Sequence, residues 1–315
     1  MSDSVPFVSV VLPVFNEEQY LEQCLIALRK VQYPEDKFEI IVVDNGSSDR
    51  SYAIAEQYAD QLILHPKVNV GAVRNYGVQH AKGDVIAFLD SDCLVPKTWL
   101  ENGVQLLKQN PKCVFGGNLY LRADPSWTEK YWILQKPDEP LLQSDLLGSC
   151  IFVPKQYFQD VGGFNEEVTS GEDTEFSNKL KATGYKVTID EKLGVVHLGN
   201  PTTVSGFVKR QIWHSENYAK SIGSSLTDKV FWLVIIYILG LLALLSSIFG
   251  APISPLYIAL ALMLPPIVLS IKRITRANYS ITGVADIIGI FLMDNLYLLG
   301  RSAGFIKGIF GRAKS

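Results

Sequence analysis

Cysteine is scarce in this chain of 315 residues, which contains four. They are Cys24, Cys93, Cys113 and Cys150, and no two of them form a Cys-x-x-Cys pair. This number and spacing do not support a disulfide framework or a zinc site, so we expect reduced thiols in a cytosolic domain. The amino terminus also lacks a basic region followed by a long apolar run, and we therefore expect no signal peptide.

Charged residues are absent between Lys229 and Lys272, whereas residues 1–228 have the composition of an ordinary globular protein. From residue 229 onwards there are eight Lys or Arg and two Asp or Glu, against 21 and 30 in the rest of the chain. The basic residues flank apolar runs and do not form a stripe. This part therefore suits an anionic membrane surface, and we expect no nucleic-acid partner.

The apolar stretch 230–271 allows about 60 Å of helix, or two crossings of a hydrocarbon core of about 30 Å. Gly250, Pro252 and Pro255 near its middle predict a hairpin of two transmembrane helices, at about 230–250 and 254–271. Basic residues on both sides of the stretch place its two ends in the cytoplasm.

A third apolar segment, at about 281–300, contains two acidic residues, Asp286 and Asp294. They are eight residues apart, so both can lie on one face of a helix. The segment is either a third span with a polar face turned inward or a helix that lies in the membrane interface.

Short apolar runs alternate with helical patterns in the first part of the chain. The runs at 8–12, 38–43 and 85–89 predict buried strands, and Asn16 is expected to cap a helix that ends near Lys30. This alternation predicts an α/β domain with a parallel, doubly wound sheet, in which ligands bind beyond the carboxyl ends of the strands. From 97 to 200 the pattern is less regular, with strand candidates at 113–121, 150–153, 186–189 and 194–198.

Two carboxylates directly follow the apolar run 85–89: Asp90 and Asp92, with Ser91 between them. A buried strand that ends in this way holds both carboxylates at the rim of a sheet. There they can bind Mg²⁺ or Mn²⁺, and the cation can hold a diphosphate. Asp-x-Asp is a short pattern, so its weight comes from its position at the end of a strand.

Five motifs occur in an order and at spacings that resemble those of family-2 glycosyltransferases with the GT-A fold. They are VSVVLPVFNE at 8–17, IVVDNGSSD at 41–49, GAVRN at 71–75, DSD at 90–92, and GGF at 162–164 followed by GED at 171–173. The resemblance covers about residues 7–200. It implies a Rossmann-like nucleotide-diphospho-sugar transferase domain, followed here by a helical membrane region.

The resemblance implies a nucleotide-sugar site made of Pro13, Phe15, Glu17, Asp44, Arg74, Asp90 and Ser91. Pro13 and Phe15 would line the base pocket, and Glu17 would contact the base or the ribose. Asp44 would accept a hydrogen bond from the base, and Arg74 would meet the base or the diphosphate. The structural alternatives are a core position for Phe15, a helix-capping role for Glu17, a turn for Asp44 and a surface position for Arg74.

The same resemblance assigns the metal and the chemistry to five residues. Asp90 and Asp92 would contact the ribose and the metal, with Asp92 as the direct ligand and His197 as a further one. A structural role for this lone histidine is the alternative. Asp173 would be the catalytic base, because an inverting transfer needs one carboxylate to take the acceptor hydroxyl proton. Glu172 would support the helix start or contact the acceptor, and capping of a helix N-terminus is the alternative for this pair.

A weaker resemblance involves Arg210, Gln211 and Trp213, in the segment 207–214. It is similar to the Gln/Arg/Trp segment that lies beside the acceptor in membrane-bound polysaccharide synthases. The order departs from that pattern, since no Arg directly precedes Trp213. An amphipathic helix at the membrane surface is an equally good interpretation.

These expectations divide the chain into a glycosyltransferase domain at 1–203, an amphipathic interface helix or linker at 204–228, and a membrane region at 229–315. They predict a multi-pass protein of the inner or plasma membrane with a cytoplasmic catalytic domain. It would be an inverting glycosyltransferase of envelope or exopolysaccharide biosynthesis. Its cofactor would be Mg²⁺ or Mn²⁺, its donor a nucleotide-diphosphate sugar (a UDP-sugar is favoured), and its acceptor lipid-linked or a saccharide.

Two other functions stay open from the sequence alone. One is a processive polysaccharide synthase, and the other is a non-catalytic membrane scaffold that binds nucleotide sugar. A nucleotidyltransferase is disfavoured, because it would carry a glycine-rich phosphate loop near the first strand and residues 12–16 contain no glycine.

Overall fold

The computed structural model describes residues 5–135, 145–168, 171–220 and 228–312. Their contacts define two compact units. The described residues of 1–122 and 137–199 form the first, which we call the sheet unit. Those of 123–136 and 200–315 form the second, which we call the helical unit, so a segment inserted between two strands of the sheet belongs to the helical unit.

The sheet unit is built on eight strands. They are β1 (Val8–Val14), β2 (Phe38–Asp44), β3 (Gln61–Leu64), β4 (Val85–Leu89), β5 (Cys93–Leu94), β6 (Cys113–Tyr120), β7 (Cys150–Pro154) and β8 (Lys186–His197). Their order across the sheet is β3-β2-β1-β4-β7-β6-β8-β5. Strands β1 to β4 are parallel, as the sequence predicts.

The second half of the sheet departs from the predicted parallel arrangement. Strand β7 runs antiparallel to both β4 and β6, and β5 runs antiparallel to β8. The two strand candidates at 186–189 and 194–198 are parts of the single strand β8. The sheet is therefore mixed. Strand β8 pairs with the short strand β5, which follows the Asp-x-Asp motif, so His197 at the end of β8 lies beside Cys93.

Helices cover both faces of this sheet, and its central strands are consequently buried on both sides. Val10 and Leu12 of β1 pack in one apolar cluster, whereas Val11 between them packs in the other. The helices of the sheet unit are α1 (Leu21–Arg29), α2 (Ser51–Tyr58), α3 (Val70–His80), α4 (Trp99–Gln109), α6 (Lys155–Asp160) and α7 (Glu172–Ala182).

Helix α1 begins later than predicted, at Leu21, and Asn16 does not cap it. Asn16 instead has a positive φ of 57°, a conformation that its short polar side chain tolerates. Its Oδ1 accepts a hydrogen bond from the backbone N–H of Ser48 at 2.8 Å. The Asn16 side chain therefore bonds a distant loop and does not cap α1. The local pattern of residues cannot indicate this distant contact.

The helical unit contains five helices in the described part of the chain. They are α5 (Trp127–Ile133), α8 (Val204–Lys220), α9 (Lys229–Ile248), α10 (Pro255–Ala277) and α11 (Val284–Arg312). Among the described residues, α9 and α10 are long and apolar enough to cross a membrane, and they coincide with the two predicted spans. The third apolar segment belongs to α11, where Asp286 and Asp294 are both buried. Residues 221–227 of the predicted linker lie outside the described residues.

Candidate active site

A cleft of about 340 Å³ opens at the carboxyl ends of β1, β2 and β4. Its lining consists of Pro13, Val14, Phe15, Glu17, Asn45, Val70, Val73, Arg74, Asp90, Ser91, Asp92 and Glu172. The fold thus brings together eight of the residues that the motifs indicate, from four separate stretches of sequence. Three others, Asp44, Asp173 and His197, are not in that lining among the described residues.

Phe15 stands at the mouth of the cleft with 56% of its surface exposed, so its interpretation as a core residue is wrong. Hydrogen bonds between two loops hold it there. The backbone N–H of Asn16 donates to Ser47 Oγ at 3.0 Å, and that of Glu17 donates to Ser51 Oγ at 2.8 Å. The loops after β1 and β2 therefore form one wall of the cleft.

Asp44 combines a structural role with an unused acceptor. Its Oδ1 accepts hydrogen bonds from the backbone N–H groups of Gly46 and Ser47, both at 2.8 Å, so it does form a turn. Its Oδ2 is buried and has no hydrogen-bond partner within the described part of the chain. Leaving such a buried oxygen without a hydrogen bond is costly in free energy.

Arg74 is buried and joins two carboxylates, so a simple surface position is wrong for it. Its Nη2 lies 2.8 Å from Asp90 Oδ1, and its Nη1 lies 2.8 Å from Glu172 Oε1. Burial alone would lower the pKa of Arg74, but the two carboxylates outweigh it and raise that pKa. Gly148 packs against this guanidinium so closely that a Cβ there would lie 2.2 Å from Nη2.

Asp92 and His197 form the second charged group of the site. Asp92 Oδ2 lies 3.2 Å from His197 Nε2, and the backbone N–H of Leu198 donates to the Asp92 carbonyl at 2.8 Å. Burial raises the pKa of Asp92, with Asp90 adding to the shift and His197 opposing it. A Cβ at Gly199 would lie 1.8 Å from Asp92 Oδ2, so a larger residue at 199 would displace the Asp92 side chain.

The donor atoms at this position fit a divalent cation. One ligand atom from each of Asp92, Cys93 and His197 lies within 4.8 Å of the other two. Carboxylate oxygens suit Mg²⁺ and Mn²⁺, and an imidazole nitrogen favours the softer transition metals, so the pair Asp92–His197 fits Mn²⁺ better than Mg²⁺. Asp90 is not in this group, and one of its oxygens accepts a hydrogen bond from Arg74.

Helix α7 carries the two predicted catalytic carboxylates at its N-terminus. Glu172 is buried and its side chain is held by Arg74. Asp173 is half-buried: its Oδ1 accepts from the backbone N–H of Thr174 at 2.7 Å and its Oδ2 from that of Gly148 at 3.3 Å. The two neighbours therefore differ, with Glu172 fixed inside the cleft wall and Asp173 at the partly exposed end of the helix.

The predicted acceptor residues lie on α8 in the helical unit, where their surroundings differ. Gln211 is buried, and its Oε1 accepts a hydrogen bond from Arg301 Nε at 3.3 Å. Arg210 is exposed, and Trp213 is 65% exposed. Helix α8 is thus amphipathic, with Gln211 on its packed face and Trp213 on its open face.

Several residues of the site are not among those that the sequence analysis predicts as site residues. Asn45 lines the cleft and bonds both backbone groups of Val68 through its side chain. Gly148 and Gly199 matter because of what approaches them in space. Cys93 directly follows the Asp-x-Asp motif, and this adjacency is the one feature that could have indicated it.

Known proteins are similar to this chain in sequence and in fold. The model of the family described as glycosyl transferase family 2 matches residues 9–159, and that of glycosyl transferase family group 2 matches 85–271. Glycosyltransferase AglE of Haloferax volcanii is 31% identical over 212 residues, which cover 64% of this chain and 70% of that protein. Other curated glycosyltransferases are matched over 27% to 55% of their length.

Two solved structures with low sequence identity share the fold. One is the mannosyltransferase PcManGT from Pyrobaculum calidifontis in complex with GDP-Man and Mn²⁺. It has a TM-score of 0.57 at 18% identity, and the match covers 96% of this chain and 88% of that one. The other is S. aureus TarS 1–349 in complex with UDP, with a TM-score of 0.50 at 20% identity and coverage of 93% and 92%. The likeness supports the GT-A architecture, and the family matches include the Asp-x-Asp motif and most of the cleft. The chain therefore belongs to glycosyltransferase family 2.

Proposed function

We propose that this protein is a membrane-bound inverting glycosyltransferase that moves a sugar from a nucleotide-diphosphate sugar to a lipid-linked acceptor. One observation carries the proposal. A single cleft joins an exposed aromatic ring at Phe15, a buried arginine held by two carboxylates, and the carboxylate of Asp92, which is paired with the imidazole of His197.

The nucleotide binds between the loops after β1 and β2. Phe15 offers an exposed ring on which a base stacks, and Pro13 and Glu17 line the same wall. Asp44 Oδ2 accepts a hydrogen bond from a base N–H, which satisfies an acceptor that is otherwise unpaired. Such an N–H suits a uracil base, and a UDP-sugar is the favoured donor. The structures of PcManGT with GDP-Man and of TarS with UDP support a nucleotide-sugar donor in general.

Asp92, His197 and Asp90 would hold the divalent cation. When bound, Mn²⁺ or Mg²⁺ neutralises the charge that develops on the leaving nucleoside diphosphate. Ser91 lies between the two aspartates in the lining of the cleft and, together with Asp90, contacts the ribose. Arg74 keeps Asp90 and Glu172 in place, because its planar guanidinium bonds both carboxylates at once.

Asp173 acts as the general base. It takes the proton from the acceptor hydroxyl while the hydroxyl oxygen attacks the anomeric carbon from the face opposite to the diphosphate. The bond to the diphosphate breaks as the new bond forms, so one displacement inverts the anomeric configuration. Glu172 is bound by Arg74 and is buried, whereas Asp173 is partly exposed at the start of the helix, which favours Asp173 over Glu172 as the base.

The helical unit supports a lipid-linked acceptor. Helices α9 and α10 carry exposed apolar side chains along their length, among them Leu239, Ile248, Leu256 and Tyr257. Lys272, Arg273 and Arg276 follow the apolar part of α10, and basic residues beside a span favour the cytoplasmic side. This pattern supports the proposal that the catalytic unit is cytoplasmic. Arg210 and Trp213 on the exposed face of α8 then lie at the membrane surface.

The proposal is tested by nucleotide-diphosphate release from UDP-, GDP- and dTDP-sugars, with purified protein in membrane lipid, with and without Mn²⁺ and polyprenyl phosphate. Release with one donor, dependent on Mn²⁺ and stimulated by the lipid, is the expected result. Asp92→Asn should lower it by about 100-fold or more, the scale for removing one contact that stabilises a developing charge.

Asp84→Asn is the matched control, since Asp84 is exposed at the opposite end of β4 and should leave turnover unchanged. NMR of the product reports whether the anomeric configuration is inverted. Equal turnover of Asp92→Asn and the unaltered protein would remove the metal assignment. Binding of a nucleotide sugar without turnover on any acceptor would indicate a scaffold.

A further inference from the structure

Cys93 is a core residue, yet it belongs to the group of donor atoms that fits a divalent cation. Its Sγ is 3.5 Å from Asp92 Oδ1, and strand pairing sets it directly opposite His197. Its side chain is fully buried, whereas the side chains of Asp92 and His197 are 15% and 18% exposed. An ion that enters at the carboxylate and the imidazole therefore meets the thiol on its inner side.

The other cysteines have different surroundings. The Cys24 thiol faces the carbonyl of Asp90, and the Cys150 thiol faces the carbonyl of Leu193. Among the described residues, Cys93 is the one cysteine whose sulfur lies close enough to a carboxylate and an imidazole to bind the same metal ion. The sequence argued against a zinc site because the cysteines are scattered, but here the ligands come from two paired strands and the turn before one of them.

The distances in this group suit a small tetrahedral cation. Zinc binds sulfur at about 2.3 Å and nitrogen or oxygen at about 2.0–2.1 Å, so neighbouring donors lie about 3.3–3.6 Å apart. Asp92 Oδ2 is 3.2 Å from His197 Nε2, and Asp92 Oδ1 is 3.5 Å from Cys93 Sγ. These two distances involve different oxygens of Asp92, and the three donors lie within 4.8 Å of one another, so rotation of the side chains is needed to bring them onto one ion.

We propose that Asp92, Cys93 and His197 form a three-donor site for a thiolate-preferring divalent cation, Zn²⁺ or Co²⁺, which competes with Mn²⁺ at the donor cleft. The inference rests on the proposed function, which assigns Asp92 and His197 to the metal. As the ion binds, the S–H bond breaks, a metal–sulfur bond forms, and the proton leaves to solvent.

The charge of the site explains why the two kinds of ion have different consequences. With the same carboxylate and imidazole ligands, binding of the Cys93 thiolate adds one negative charge to the group. A Zn²⁺ site that includes the thiolate therefore attracts a diphosphate more weakly than an Mn²⁺ site without it. Soft thiolate ligands favour Zn²⁺ over Mn²⁺, so the sulfur selects the ion that does not support transfer.

The test is a Co²⁺ titration of the full-length protein in membrane lipid, followed by the thiolate-to-cobalt charge-transfer absorption. The unaltered protein and Cys113→Ala should both show the band, because Cys113 is a buried cysteine outside the group. Cys93→Ala should lack it and should bind Zn²⁺ at least about tenfold more weakly, the scale for loss of a supporting metal contact.

A band that persists in Cys93→Ala would overturn the inference, as would cobalt binding to the unaltered protein with no band. X-ray absorption of the Zn²⁺-loaded unaltered protein gives a second measurement that needs no variant, and a sulfur shell near about 2.3 Å is the expected result. Mn²⁺-dependent transfer in the same preparation separates the two proposals. Transfer without a band removes the thiolate site alone, and a band without transfer removes the proposed function alone.

Discussion

Arg74 forms ion pairs with two of the carboxylates that line the cleft. It is 3% exposed, and its two terminal nitrogens bond Asp90 at the end of β4 and Glu172 at the start of α7. Because it is fixed by both carboxylates, it links the Asp-x-Asp motif to the helix that carries Asp173. Its Nε has no hydrogen-bond partner in the described residues, so the guanidinium retains one donor.

Arg74→Met should lower the free energy of unfolding by about 3 kcal/mol. This is the low end of the range for breaking a buried ion pair, and it allows for the partial exposure of Asp90. Denaturant unfolding of the purified protein measures the effect. Adding Glu172→Gln should recover part of the loss, because it removes the buried unpaired charge. A change of less than about 0.5 kcal/mol in the single variant would show that the pair is not an important structural contact.

Three helices of the helical unit meet at a buried ion pair. Asp294 on α11 is fully buried, pairs with Arg273 on α10, and accepts from Ser270 Oγ at 2.7 Å. Arg273 also donates to the carbonyls of Tyr131 and Trp132 near the end of α5, and its guanidinium lies 4.6 Å from the Trp132 ring centre. One arginine thus satisfies the carboxylate of one helix and the C-terminal carbonyls of another.

Asp294→Ala should destabilise the helical unit by about 3 kcal/mol, since it leaves Arg273 largely buried without its carboxylate. Ser270→Ala removes one hydrogen bond to the same carboxylate and should cost only about 1 kcal/mol. Thermal unfolding in detergent, followed by near-ultraviolet circular dichroism, measures both. Equal effects of the two variants would contradict a dominant role for the ion pair.

The two units differ in how many large apolar side chains they expose. In the sheet unit the large apolar side chains are mostly buried in two clusters. Helices α9 and α10, in contrast, expose many apolar side chains along their length. Exposed leucines in such numbers are unfavourable in water and favourable in lipid. The two units therefore suit different solvents, although segment 123–135 of the helical unit lies between β6 and β7 in the sequence.

We expect the protein to stay with the membrane fraction after washes with high salt and alkaline carbonate. Leu239→Lys with Leu242→Lys, two exposed positions of α9, should weaken this association, because a lysine near the centre of a span costs about 2.5–3.5 kcal/mol. Leu64→Lys is the matched control, since Leu64 is an exposed leucine of the sheet unit. Release of the unaltered protein by carbonate would contradict a membrane-spanning helical unit.

The sequence by itself determined the features that depend on local composition. Short apolar runs that are rich in β-branched residues are typical of buried strands, so β1, β2 and β4 could be predicted, and with them the position of Asp90 and Asp92 at a sheet edge. The length of the apolar stretch after Lys229 likewise predicted α9 and α10. The family motifs indicated most of the residues that line the cleft.

Only the tertiary structure decided the features that depend on contacts between distant segments. The positive φ of Asn16, the burial of Arg74 and the antiparallel course of β7 each arise from a partner far away in the sequence. The same is true of Cys93, whose place beside His197 follows from the pairing of β5 with β8. A local pattern of residues indicates which parts of a segment are buried and which are exposed to solvent. The features above depend instead on which distant segments pack against each other.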